Sequence, residues 1–362
     1  MPVIPKPGIE LLKVYEPGRP LEEVARAHGL NPSELVKLAS NENSLGPSPK
    51  AVGAMRTAAS KMHLYPDGGA FYLREKLSEK LNVPADHLLF GNGSNEIIEF
   101  LGHVFLEPGT NLVMSQAAFI IYKLVADSFG AETRMAPMNG FTHDLDAMLG
   151  LIDEQTRLVF VANPNNPTGT RVDNAALDQF ISQVPEHVLV VLDEAYVELL
   201  PPEEQPSSLD WVKAGRQVLV MRTFSKTYGL AGIRLGYAVG QPDLLNLLNK
   251  FRQPFNVTAM ALAAAEAALD DDAYVEQTRE LVREGLVYFE TECAALGLET
   301  VPSVANFLLI KTGAGRRHFE ALQSKGVIAR PMDGYGLPEW LRVTVGTRPE
   351  NQRFIEKLRE VL

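Results

Sequence analysis

The chain has 362 residues, 46% of them hydrophobic and 22% charged, with a formal net charge of −11. That is ordinary globular composition, at a length that fits two domains or one large domain with a smaller partner. The negative surplus opposes non-specific binding to nucleic acid or anionic membranes. A single cysteine, Cys293, rules out an intrachain disulfide and a cysteine-based zinc site.

At the N-terminus, "MPVIPKPGIE" lacks the apolar core of a signal peptide. No apolar run approaches the ~18 residues needed to span a bilayer. A cytoplasmic, reducing setting is therefore expected. From about residue 70 to 250, short apolar runs alternate with helical patterns. The strand candidates are "HLLFG" (87–91), "NLVMS" (111–115), "RLVFVA" (157–162), "HVLVVLDEA" (187–195), "QVLVMRT" (217–223) and "RLGYAVG" (234–240). They do not alternate in polarity. Strands buried on both faces read this way, which predicts an α/β fold with a mainly parallel sheet between helices. The stretch 255–297 reads as long helices rich in Ala, Glu and Leu. Shorter strands follow at 306–311, 326–330 and 341–346 and predict a smaller α+β unit. The expected division is an N-terminal segment (1–40) packing with the small unit, a large domain (41–255) and a small domain (256–362).

Polar and glycine-rich stretches fall just after the predicted strands. In an open α/β sheet, ligands bind outside the carboxyl ends of the strands, so one shared site is expected. "GNGSNE" (91–96) opens a helix, and Gly93 lets the backbone approach a ligand. Ser94 and Asn95 suit a helix start whose free N–H groups favour a phosphate. Phe119, after the second strand, reads either as core or as a ring that stacks on a flat cofactor. "ANPNNPTGT" (162–170) forces a tight turn that could aim the Asn166 amide at a ligand oxygen. Asp193 ends an apolar run, so it either caps a turn or faces a cation such as a protonated pyridine nitrogen. Tyr196 can present its hydroxyl to the same ligand. Lys226, in "TFSKTYG", reads on its own as a solvated loop residue. Desolvated and close to Arg234, it becomes a nucleophile of lowered pKa.

Together these residues describe a pyridoxal 5'-phosphate site. Lys226 binds the aldehyde, Asp193 the ring nitrogen, and Tyr196 and Asn166 the ring hydroxyl. Phe119 covers one ring face, while Gly93, Ser94, Asn95, Ser225 and Arg234 hold the phosphate. In such sites the cofactor is the electron sink and the protein orients it.

"ANPNNPTGT", "VLDEAYVEL", "RTFSKTYGLAGIRLGY" and "RPMDGYGLPEWLRVTVGTRPEN" resemble the fold-type I, class I/II pyridoxal-phosphate aminotransferases. The resemblance covers nearly the whole chain, and within the family it looks like the histidinol-phosphate branch. It implies a seven-stranded, mainly parallel sheet and a transaminase exchanging L-histidinol phosphate with 2-oxoglutarate in histidine biosynthesis. It also implies that Lys226 is the Schiff-base lysine and the proton carrier. It implies an obligate homodimer in which Tyr65 reaches the cofactor phosphate of the neighbouring subunit. The substrate residues it implies are Tyr15, Asn41, Arg330 and Arg342. Arginine forks suit carboxylate and phosphate alike. Phe119 departs from the tyrosine many relatives carry, which leaves the ring face covered but removes a hydroxyl. The same scaffold also serves aromatic amino-acid transaminases and threonine-phosphate decarboxylase-like lyases. A DNA-binding regulator on this fold would need a basic module for which the chain has no room before about residue 35.

Overall fold

The computed structural model describes residues 3–4, 9, 12 and 20–362. Its main sheet has seven strands: β1 (Leu88–Gly91), β2 (Asn111–Ser115), β3 (Glu132–Ala136), β4 (Thr156–Ala162), β5 (Leu189–Asp193), β6 (Val218–Thr223) and β7 (Gly236–Val239). Their spatial order is β1-β7-β6-β5-β4-β2-β3. β7 runs against both of its neighbours, and the remaining strands run together. The central strands are buried along their whole length, as continuous Val and Leu runs require when helices cover both faces. β3 was absent from the sequence expectations. It lies at the sheet edge, and its "ETRMA" run is polar because most of it is not buried.

A second sheet of four strands is built from Thr300–Val301, Phe307–Lys311, Arg330–Pro331 and Trp340–Thr344. It is antiparallel throughout. Val36–Lys37, from the N-terminal segment, pairs in parallel with Val327–Ile328. Val36 and Leu38 are buried in the same apolar core as Phe307, Leu341 and Phe354.

The sequence reading puts the boundary after residue 255. Helix Ala259–Ala268 buries Ala261, Ala264, Ala265 and Ala268 in the core of the large unit. Those small side chains let it lie close against the large-unit helices. The next helix, Asp272–Ala295, joins the two cores: Val275 packs with the large unit, while Val282, Leu286, Phe289 and Cys293 pack with the small one. One helix of 24 residues therefore contributes to both cores. Among the described residues no helix is long and apolar enough to cross a membrane.

Candidate active site

A cavity of about 300 Å³ opens at the carboxyl ends of the large sheet. That volume is at the lower end of the ~300–1,000 Å³ typical of small-molecule sites. Asp193 stands at the end of β5, Ala162 at the end of β4 and Thr223 at the end of β6, and all three line it. The structure brings Ser94, Asn95, Phe119, Asn166, Asp193, Tyr196, Ser225, Lys226 and Arg234 to this one wall.

Lys226 is half-buried, and its Nζ donates to the carbonyl oxygens of Ser40 at 3.3 Å and Asn41 at 3.2 Å. The amine also lies 5.7 Å from the centre of the Tyr196 ring. Loss of water pulls its pKa down to about 8, helped by the charges of Arg342 and Arg234 and opposed by Glu42. A large share of the amine is therefore neutral near pH 8, which is the state a nucleophile needs.

Asp193 is buried. One carboxylate oxygen, Oδ2, accepts from the Tyr122 hydroxyl at 2.6 Å, and Oδ1 accepts from the Ala195 N–H at 3.2 Å. No lysine or arginine among the described residues forms an ion pair with it. Burial pushes its pKa up to about 6, while the Tyr122 hydrogen bond works the other way. Tyr122 was not anticipated. Its ring stacks on Phe160 at 4.3 Å and meets Phe119 edge-on at 5.7 Å. It lies in helix Ile121–Phe129, three residues beyond Phe119, where an aromatic reads as core. Ser40, Glu42, Ala195 and Thr223 also line the cavity without having been singled out.

Gly93 precedes helix Ser94–Phe105 with φ +75°, and a Cβ there would strike the Arg234 guanidinium. Gly236 packs so tightly that a Cβ would meet the backbone of Gly93 and Ser94. The helix start, its unpaired N–H groups and Arg234 are thus held together at one end of the cavity, as a phosphate requires. Arg234 is exposed, has φ 59°, and donates to the Ala231 carbonyl at 3.0 Å. Ser225 is buried, and its hydroxyl accepts from Thr223 Oγ1 at 3.0 Å.

Arg342 stands on the small sheet, outside the cavity lining but in contact with one lining residue. Its Nη1 donates to Asn166 Oδ1 at 2.6 Å and its Nη2 to the Ala39 carbonyl at 3.0 Å. Asn41, with φ 54°, is nearly fully buried; its Nδ2 donates to the Tyr196 hydroxyl at 2.9 Å. Burial, partly offset by the nearby Arg342, pushes Tyr196 up to about 12, so its hydroxyl keeps its proton at neutral pH. Arg330 does not line the cavity either; it pairs in register with Arg342, which puts both side chains on the same sheet face. Tyr65 stands apart from the cavity, 82% exposed, with its ring stacked on Phe255 at 4.7 Å. Tyr15 lies outside the described residues.

These residues fit pyridoxal phosphate. A buried carboxylate without a cationic partner suits a protonated ring nitrogen, the helix start and Arg234 suit a phosphate, and Lys226 suits an aldehyde. Among the described residues no cluster of His, Cys, Asp and Glu could hold a metal.

The sequence profile of the family described as Aminotransferase class I and II matches residues 33–358. A histidinol-phosphate aminotransferase 2 of Pseudomonas fluorescens is 48% identical over 358 residues, covering 99% of this chain and 97% of its own. A histidinol-phosphate aminotransferase of Akkermansia muciniphila is 48% identical over 352 residues, with 97% and 96% covered. Among solved structures, histidinol-phosphate aminotransferase from Sinorhizobium meliloti in complex with pyridoxal-5'-phosphate aligns with a TM-score of 0.89. It is 26% identical and covers 98% of both chains.

Proposed function

The chain belongs to the class I and II aminotransferase family, and on that premise we propose that it is a pyridoxal-phosphate-dependent transaminase that converts L-histidinol phosphate and 2-oxoglutarate to imidazole-acetol phosphate and L-glutamate. The observation that carries the reading is the convergence of Lys226 and the cation-less Asp193 on one cavity, with Arg342 reaching from the other sheet to the lining residue Asn166.

When bound, pyridoxal phosphate supplies an aldehyde that condenses with amines and a ring that takes up the electron pair freed at the substrate Cα. The chain's own residues do the rest. Lys226 Nζ, of lowered pKa, takes and returns the proton of the substrate Cα. Asp193 holds a positive charge on the ring nitrogen in a dry place, and Tyr122 fixes its carboxylate. Asn166 and the protonated Tyr196 hydroxyl hydrogen-bond the ring oxygen. Phe119 covers the ring, while Gly93, Ser94, Asn95, Ser225 and Arg234 bind the phosphate. Arg342, with Arg330 beside it and Asn41 at the joint, grips the anionic tail common to both substrates.

Tyr65, Phe71 and Tyr72 are 82%, 59% and 71% exposed, an aromatic concentration that a second subunit would cover. We infer a homodimer in which Tyr65 serves the neighbouring site, and a cytoplasmic location.

The test is an absorbance titration of the purified, cofactor-loaded protein. Histidinol phosphate at low concentration is expected to bleach the near-visible band of the lysine-bound cofactor, and 2-oxoglutarate to restore it. Response to phenylalanine alone would move the assignment to aromatic transamination. Carbon dioxide release without 2-oxoglutarate would move it to a lyase.

A further inference from the structure

Two carboxylates line the cavity among the described residues, Asp193 and Glu42. Asp193 is committed to Tyr122 and to the Ala195 N–H. Glu42 lines the same cavity as Lys226, on the short segment that follows the Val36–Lys37 strand. It is half-exposed, and its carboxylate is held by Lys37, with Nζ 2.9 Å from Oε1 and 2.8 Å from Oε2. Lys37 is part of the two-residue strand anchored on Val327–Ile328, so the pair is fixed to the small unit. The neighbouring backbone is fixed too: Asn306 Nδ2 donates to the carbonyls of Asn41 and Glu42, at 3.1 and 3.3 Å.

This placement matters because, on the reading above, one cavity must take two unlike substrates in turn. Both carry an anionic tail that suits Arg342. They differ elsewhere. The amino donor carries an imidazole ring, with an N–H to donate and a positive charge when protonated. The acceptor is a dicarboxylate with no donor at all. A bare carboxylate at the cavity wall would favour the first and repel the second. A carboxylate neutralised by a lysine can serve both, because the lysine carries the counter-charge when the ring is absent.

We propose that Glu42 accepts a hydrogen bond from the imidazole ring of the amino substrate, and that Lys37 cancels the charge of Glu42 when the dicarboxylate occupies the same cavity. Glu42 is thus a specificity-determining residue and Lys37 its positioning and screening partner. The inference rests on the functional reading above.

The pair predicts opposite effects from its two halves. Glu42→Gln keeps the shape and removes the charge. It is expected to raise the KM for histidinol phosphate about tenfold, the worth of a charge-assisted hydrogen bond, and to leave the KM for 2-oxoglutarate unchanged or lower. Lys37→Met is expected to raise the KM for 2-oxoglutarate about fivefold through unscreened repulsion and to leave that for histidinol phosphate unchanged or lower. Lys37→Arg restores the wild-type values. The same tenfold loss is expected in the dissociation constant of histidinol phosphate measured by calorimetry in a Lys226→Ala background, where no turnover occurs. If Glu42→Gln shifts both KM values equally, or leaves that for histidinol phosphate within about twofold, the proposal is overturned. If the unaltered enzyme turns over no histidinol phosphate, the functional reading fails first and takes this proposal with it.

Discussion

Asp193 and Glu194 are consecutive, both buried, and lead opposite lives. Asp193 faces the cavity and is met only by neutral donors, a tyrosine hydroxyl and a backbone N–H. Glu194 faces the other way and is locked to Arg222, whose Nε and Nη2 both lie 2.8 Å from Oε2. Glu198, also buried, sits beside the same arginine. Burial raises the pKa of both carboxyls, 193 and 194, but only the second has its countercharge inside the protein. A buried acid whose cation comes from the fold is a structural group. One whose cation must come from a ligand is a functional one.

The largest effect that would sharpen this contrast comes from the cavity side. Lys226→Ala is expected to reduce turnover on the order of 10⁴-fold, abolish the near-visible cofactor band and leave circular dichroism unchanged. Normal turnover in that variant would break the assignment outright. Asp193→Asn is expected to reduce kcat on the order of 10²-fold without lowering the unfolding midpoint, because it removes a buried charge that has no cation. Glu194→Gln should do the reverse. Stripping Arg222 of its partner costs about 3–5 kcal/mol in denaturant unfolding, while kcat per folded molecule falls less than in Asp193→Asn. If the stability loss appeared in Asp193→Asn instead, the contrast between the two residues would be false.

The smallest effect is a pH dependence. Burial raises Glu198 from an ordinary value of 4.5 to about 7, so the folded state holds a proton there that the unfolded state releases. The stabilisation this gives is complete below about pH 4.5 and is lost as pH rises through 7. The cofactor-free protein should therefore show a melting temperature that declines between pH 5 and 8. Glu198→Gln should flatten that decline, and an unchanged slope would remove Glu198 as its source.

Much of the cavity could be read from the sequence because its residues sit where buried strands stop. Asp193 closes a run of Val and Leu, and a charged group at such a point stands out. Tyr122 did not stand out, because an aromatic on an apolar helix face has the same pattern whether it packs or donates. Phe119 lies two residues ahead of helix Ile121–Phe129, so helical spacing gave no signal that the two rings meet. Glu42 was hidden by its partner, since a Lys and a Glu five residues apart in a polar stretch look like solvated surface. The change of packing partner along helix Asp272–Ala295 was hidden, because both halves have the same helical period. Edge strand β3 was hidden by its own polarity.

The joint at Asn41 carries a last consequence. Thr344 Oγ1 accepts from its N–H at 2.9 Å, Asn306 holds its carbonyl, and its amide holds Tyr196. That same carbonyl, with that of Ser40, receives the ammonium of Lys226. The Lys226 amine is therefore tethered through two peptide oxygens to the smaller sheet, although its own loop belongs to the larger one. Tilting one unit against the other by an ångström would stretch those contacts, making the amine's proton affinity a gauge of how the two halves of the molecule are seated.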